Sequence, residues 1–75
     1  MRDQSIRGDT IRLGQLLKLA GLADSGAEAK LLLAAGGVLV NGEPELRRGR
    51  QLHAGDVVVA AGDTIRVRTS RSPAG

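Results

Sequence analysis

The sequence predicts an α+β domain in which two short packed helices lie against a small, mainly antiparallel sheet of three to five strands. Three observations carry this expectation. Apolar residues recur with helical spacing between residues 11 and 36, an apolar Val38-Leu39-Val40 run leads straight into Asn41-Gly42, and residues 57–60 and 64–68 read as strands across a glycine turn.

Taken in chain order, an N-terminal strand is expected around residues 5–7, with Ile6 turned inward. In residues 11–22, Leu13, Leu16, Leu17 and Ala20 hold the i, i+3, i+4, i+7 spacing of one helical face. Asp9 or Thr10 is placed to cap this helix, and Gly21 suits the left-handed residue that follows a helix end. Gly14 weakens its first turn by up to ~1 kcal/mol relative to alanine. A second helix is expected over about residues 26–35. Ser25 and Glu28 there have capping-box spacing, Ala29, Leu32, Leu33 and Gly36 share a face, and Gly36-Gly37 is the stop. So short a connection between the helices forces them to pack on each other.

Val38-Leu39-Val40 suits a pleated strand, and Asn41-Gly42 is a strong hairpin signal. Residues 43–51 are polar, hold Pro44, Arg47, Arg48 and Arg50, and read as an exposed returning arm before Leu52 and the turn Ala54-Gly55-Asp56. Strands at 57–60 and 64–68 flank Ala61-Gly62-Asp63, and alternation places Ile65 and Val67 inside with Arg66 and Arg68 outside. The repeated Ala-Gly-Asp is turn chemistry at two strand starts rather than a structural repeat. One domain therefore spans residues 1–68, and residues 69–75, with little to bury, are expected to be a disordered tail.

A chain of 75 residues holds one small domain with a thin core. There is no cysteine, and the single histidine, His53, cannot build a metal site alone, so no cofactor is expected and aliphatic packing must supply stability. The longest apolar runs, 31–35 and 57–61, fall far short of the ~20 residues that span a bilayer, and residues 1–9 lack the apolar core of a secretory signal. A cytoplasmic location is the default. No phosphate-cradling glycine motif and no paired acid and base are present, so an enzyme is not expected.

Formal net charge is +3 and the sequence pI is near 10.6, which favours a polyanionic partner. Phe, Tyr and Trp are all absent, so the aromatic platforms used by single-strand binders are not the means of contact. Guanidinium groups are the available surrogates. Arg47, Arg48 and Arg50 crowd one short arm, and their planar forks match phosphate oxygens. Lys18 and Lys30 fall on the two helices, and Arg12 stands where a cation opposes the helix dipole, which points to a use outside helix stability.

The ordered set Arg12-Leu13, Leu16-Leu17, Gly21-Leu22, Ser25, Glu28-Ala29-Lys30, Leu32-Leu33, Gly36, Val38, Val40-Asn41-Gly42 and Gly55-Asp56 resembles the pattern of the S4 domain family. The likeness covers a motif core of about residues 12–60. The local runs at 16–21 and 25–30 are similar to those of short stand-alone bacterial S4 proteins of the YbcJ-like type. The resemblance implies an αL RNA-binding motif and a non-catalytic module that recognises structured RNA, ribosomal or transfer RNA, through phosphate and shape. Arg47, Arg48 and Arg50 would then be the main contacts, Arg12 and Lys30 would set the docking angle, and Lys18 would assist. The sequence departs from the family pattern at Gly26, Leu31 and Ala34, where cations are common, and at Leu39, where a charged outward residue is usual. An apolar surface of Leu31 and Leu39, unless covered by the N-terminal strand, supports an alternative, a protein-interaction adaptor on the same fold. Duplex DNA is disfavoured because neither helix presents base-reading polar side chains.

Overall fold

The computed structural model describes residues 1–69. Nine elements follow one another: β1 (Arg2–Ile6), β2 (Thr10–Arg12), α1 (Leu13–Leu19), α2 (Gly26–Ala34), β3 (Leu39–Val40), β4 (Glu43–Pro44), β5 (Gln51–His53), β6 (Val57–Ala60) and β7 (Asp63–Thr69). The main sheet has the order β1-β7-β6-β3-β4, and β2 with β5 forms a separate two-stranded ribbon. All pairings are antiparallel except β1 with β7, which is parallel. The expected α+β architecture is what forms.

The core arises where two periodicities meet. Leu13, Leu16 and Leu17 of α1 and Ala29 and Leu33 of α2 bury the faces that helical spacing assigned them. They close on Ile6, Val38, Val40, Val58, Ala60 and Val67 from alternate positions of the sheet. Leu52 of the ribbon is fully buried in the same cluster. Gly36 is exposed rather than part of the core face; its φ of +79° makes it the left-handed residue that ends α2.

Two corrections concern α1 and one the arm that follows β4. Helix α1 starts at Leu13, later than expected, because Thr10–Arg12 pairs as a strand with Gln51–His53. Neither Asp9 nor Thr10 caps it: Arg12 is the N-cap residue and makes no side-chain cap bond. The orphan donors are satisfied from elsewhere, Leu13 N–H donating to the Arg50 carbonyl (2.9 Å) and Gly14 N–H to the Arg48 carbonyl (3.0 Å). The arm is thus bonded along the start of α1 rather than standing off in solvent. Helix α2 has the Ser25 half of the expected capping box, Glu28 N–H donating to Ser25 Oγ at 3.1 Å, while the Glu28 side chain makes no return bond to Ser25 N–H.

The hairpins follow turn chemistry. Leu39 faces Pro44 and Val40 faces Glu43 across Asn41-Gly42, whose φ values of +52° and +85° give the two left-handed residues of a tight hairpin. Strand β1 is longer than expected and buries Ile6, while β7 continues to Thr69, one residue into the segment expected to be a tail. The rest of that tail, residues 70–75, lies outside the described residues.

Candidate nucleic-acid interface

The arm of residues 45–50 is organised by a buried carboxylate. Glu45, whose side chain is only 9% exposed, accepts the backbone N–H groups of Leu46 and Arg47, both at 3.0 Å. It also pairs with Arg47 Nε at 3.2 Å and Arg50 Nη1 at 2.9 Å. The Arg47 side chain holds its carboxyl well below the ordinary range, at about 2, with the Arg47 backbone N–H and the Arg50 guanidinium adding to the effect. The sequence predicts an arm exposed throughout; the correction at Glu45 has a simple cause, since a carboxylate can be buried here only because Arg47, Arg50 and two backbone N–H groups hydrogen-bond it.

This anchor divides the arginines of the arm. Arg50 turns back to Glu45 and is 35% exposed, whereas Arg47 keeps 76% exposure while touching the same carboxylate. Arg48 is exposed and lies over α1, its Cβ 3.4 Å from where a Cβ on Gly14 would stand. Gly14 therefore lets the arm and the helix approach closely.

An open groove of about 550 Å³ runs between the arm and the two helices. Arg12, Lys18, Arg47 and Arg48 line it, with Gly14, Gln15, Gly26 and Ala29 forming the rest of its helical walls. No carboxylate is among the lining residues. Four of the six cations singled out from sequence thus come together. Of the other two, Arg50 is held behind the groove by Glu45, and Lys30 is exposed one helical turn beyond the wall residue Gly26. The bare Gly26 leaves that wall open where a side chain is usual.

Ion pairing sorts the remaining cations by face. Among the described residues, Arg66 and Arg68 pair with Asp3 on the outer side of the sheet (3.1 and 3.2 Å), and Arg2 approaches Asp63 at 3.7 Å. Arg7, Arg12, Lys18, Lys30 and Arg48 enter no such pair. Among the described residues, the unpaired positive charge is concentrated on the helical side.

Leu31 and Leu39 do not make one surface. Leu31 is 70% exposed on the side of α2 away from Ala29 and Leu33, while Leu39 lies on the outer sheet face, half-buried beside Val59 and Pro44. The N-terminal strand covers neither, because β1 is at the opposite edge of the sheet from β3 and β4. No helix of the described residues is long and apolar enough to cross a membrane, and no cluster of three or more metal-ligating side chains occurs among them.

A family model described as the S4 domain matches residues 4–68. The chain belongs to the S4 domain family. It is 53% identical over 58 residues to "Probable ribosome maturation protein RlbA" of Bacillus subtilis (strain 168), an overlap of 77% of this chain and 82% of that protein. To "Putative RNA-binding protein YbcJ" of Escherichia coli (strain K12) it is 42% identical over 57 residues, covering 76% and 81% respectively. Among solved structures, the 30S ribosomal protein S4e from Thermoplasma acidophilum superposes with a TM-score of 0.60 at 25% identity, over 79% of this chain and 31% of that one. These matches support an RNA-binding role for this S4 domain at the family level. Two features of its site were missed from sequence. Glu45 carried a signal, one acid among three arginines; Gln15, on the groove wall, carried none beyond its helical register.

Proposed function

We propose that this S4 domain is a non-catalytic module that binds structured RNA through phosphate and shape, with Arg12, Lys18, Arg47 and Arg48 as the principal contacts. Lys30 extends the positive surface past Gly26, and Arg50 acts through Glu45 by holding the arm in place. The observation that carries this reading is the convergence of four cations on an open groove with no carboxylate in its lining. A groove lined by cations without aromatic platforms suits the backbone and outline of a folded RNA better than splayed single strands. The names of the relatives, one a ribosome maturation protein and one an RNA-binding protein, make ribosomal RNA the first partner to test and transfer RNA the second. A cytoplasmic location goes with that proposed partner.

The test is a salt titration of the full chain on a ribosomal RNA stem-loop, with a DNA duplex of matched sequence beside it. Binding to the RNA should weaken with a log–log slope of about −3 to −4, given four phosphate contacts at ~0.9 each. Changing Arg12, Lys18 and Arg48 together to glutamine should flatten that slope by about 2 to 3. If the folded triple variant keeps both affinity and slope, the groove is not the contact surface.

A further inference from the structure

A second open groove, of about 500 Å³, lies on the other side of α1 and is lined by Arg7, Thr10, Ile11, Gln15 and Leu19 together with Ser5 and Ile6. It differs from the first in chemistry. Its floor is aliphatic, with Ile11 half-buried against the core and Leu19 left 52% exposed, and its one cation is Arg7. The loop that carries Arg7 is tied to the sheet by Thr69, whose hydroxyl donates to the Gly8 carbonyl at 2.9 Å.

Gln15 lines both grooves. On α1 it has Lys18 three residues on and Leu19 four residues on, so the cationic row and the apolar row diverge from this one side chain. A ligand that crosses the first groove along its phosphates meets the second without leaving the protein surface. From this geometry we infer that the second groove receives a single unpaired nucleotide of the bound RNA, its base lying on Leu19 and Ile11, its edge met by Gln15 and its face or phosphate by Arg7.

The chemistry suits that occupant. An extruded base needs an apolar surface on one side and a planar or aliphatic partner on the other, and arginine supplies such a plane where aromatic residues are absent. The Gln15 amide both donates and accepts, as a base edge requires. The volume falls in the ~300–1,000 Å³ range of small-ligand sites. Arg7 enters no ion pair among the described residues, so its charge is available to a phosphate.

This inference rests on the RNA-binding reading, and the experiment separates the two. Two hairpins identical in stem and loop are compared, one fully paired and one with a single unpaired adenosine in the stem, against the full chain and its Leu19→Ser, Arg7→Ala and Arg12→Gln variants. Both Leu19 and Arg7 are exposed, and thermal melting verifies that the variants fold. The wild type should bind the bulged hairpin about tenfold more tightly, or ~1.4 kcal/mol. Leu19→Ser and Arg7→Ala should each bring that ratio below about threefold, with little change on the paired hairpin. Arg12→Gln should weaken both hairpins alike. Equal binding of the two hairpins by the wild type, or a preference that survives in both Leu19→Ser and Arg7→Ala, overturns the nucleotide site and leaves the phosphate groove standing. Failure of the wild type to bind either hairpin at low salt overturns both.

Discussion

At the scale of single residues, Glu45 explains why the arm has a shape at all. Five donors reach its two oxygens, from the backbones of Leu46 and Arg47 and the side chains of Arg47 and Arg50. Its carboxyl is lowered from 4.5 to about 2 in the folded chain, so the ionised form is favoured by folding. The sign follows directly: the contribution is complete above about pH 4.5, declines as the pH falls and is gone once the folded carboxyl is protonated near 2. Urea midpoints measured from pH 6 to pH 2 should therefore fall across that window in the wild type. In Glu45→Gln the neutral-pH midpoint should already be lower and the fall shallower, the residue coming from Asp3 and Asp56. Asp3 is also lowered, chiefly by the Arg66 hydrogen bond; at Asp56 burial acts upward, but the His53 backbone N–H and the Asn41 amide outweigh it. An identical pH profile in Glu45→Gln would remove Glu45 from this role.

At the scale of elements, two hairpins use the same left-handed pair with unequal chemistry. Asn41 adopts φ +52° and also ties β3 to β6, accepting from Val57 N–H at 2.9 Å and donating to Asp56 at 3.1 Å. Ala61 adopts the same φ of +52° between β6 and β7, but its methyl group makes no compensating bond. Left-handed backbone costs an L-residue roughly 1–2 kcal/mol, least for asparagine. Asn41→Ala should thus destabilise by about 1–2 kcal/mol and Ala61→Asn should stabilise by up to about 1 kcal/mol, both read from denaturant midpoints. Equal destabilisation by the two substitutions would show that turn backbone does not govern these hairpins. Such elements were legible in the sequence because their signals are local: Asn41-Gly42, the Ser25 cap and the Ile65/Val67 alternation each state their structure within a few residues. The β2–β5 ribbon was not legible. Its strands have three residues each, their inward side chains are only Ile11 and Leu52, and they meet across some forty positions, so no local pattern marks them. The late start of α1 and the docking of the arm both follow from that unseen pairing. For the same reason the sequence marked all four of the groove's cations but not which of the six would line it and which, like Arg50, would turn back to Glu45.

At the scale of the whole molecule, placement of charge matters more than its sum. A net +3 is modest, and the sheet's outer arginines are largely spoken for by Asp3, whereas the groove cations face no carboxylate in its lining. Two double variants separate placement from sum: Arg12→Gln with Arg48→Gln, and Arg66→Gln with Arg68→Gln. Each removes two positive charges, so net-charge attraction to RNA falls equally in both. The outer pairs are half-exposed and such pairs contribute ~0–1 kcal/mol each, so the second variant should stay folded. If the groove makes the phosphate contacts, the first variant should lose about 1.4–1.8 from the salt slope, at ~0.7–0.9 per contact, and the second almost nothing. The two slopes, measured on the same ribosomal RNA stem-loop between low and physiological salt, decide the matter. Equal losses would mean that the domain attracts RNA as a diffuse cation, and the groove would have no special standing. A loss confined to Arg12 and Arg48 would locate binding where α1, α2 and the Glu45-anchored arm converge, since the net charge of the two proteins is the same.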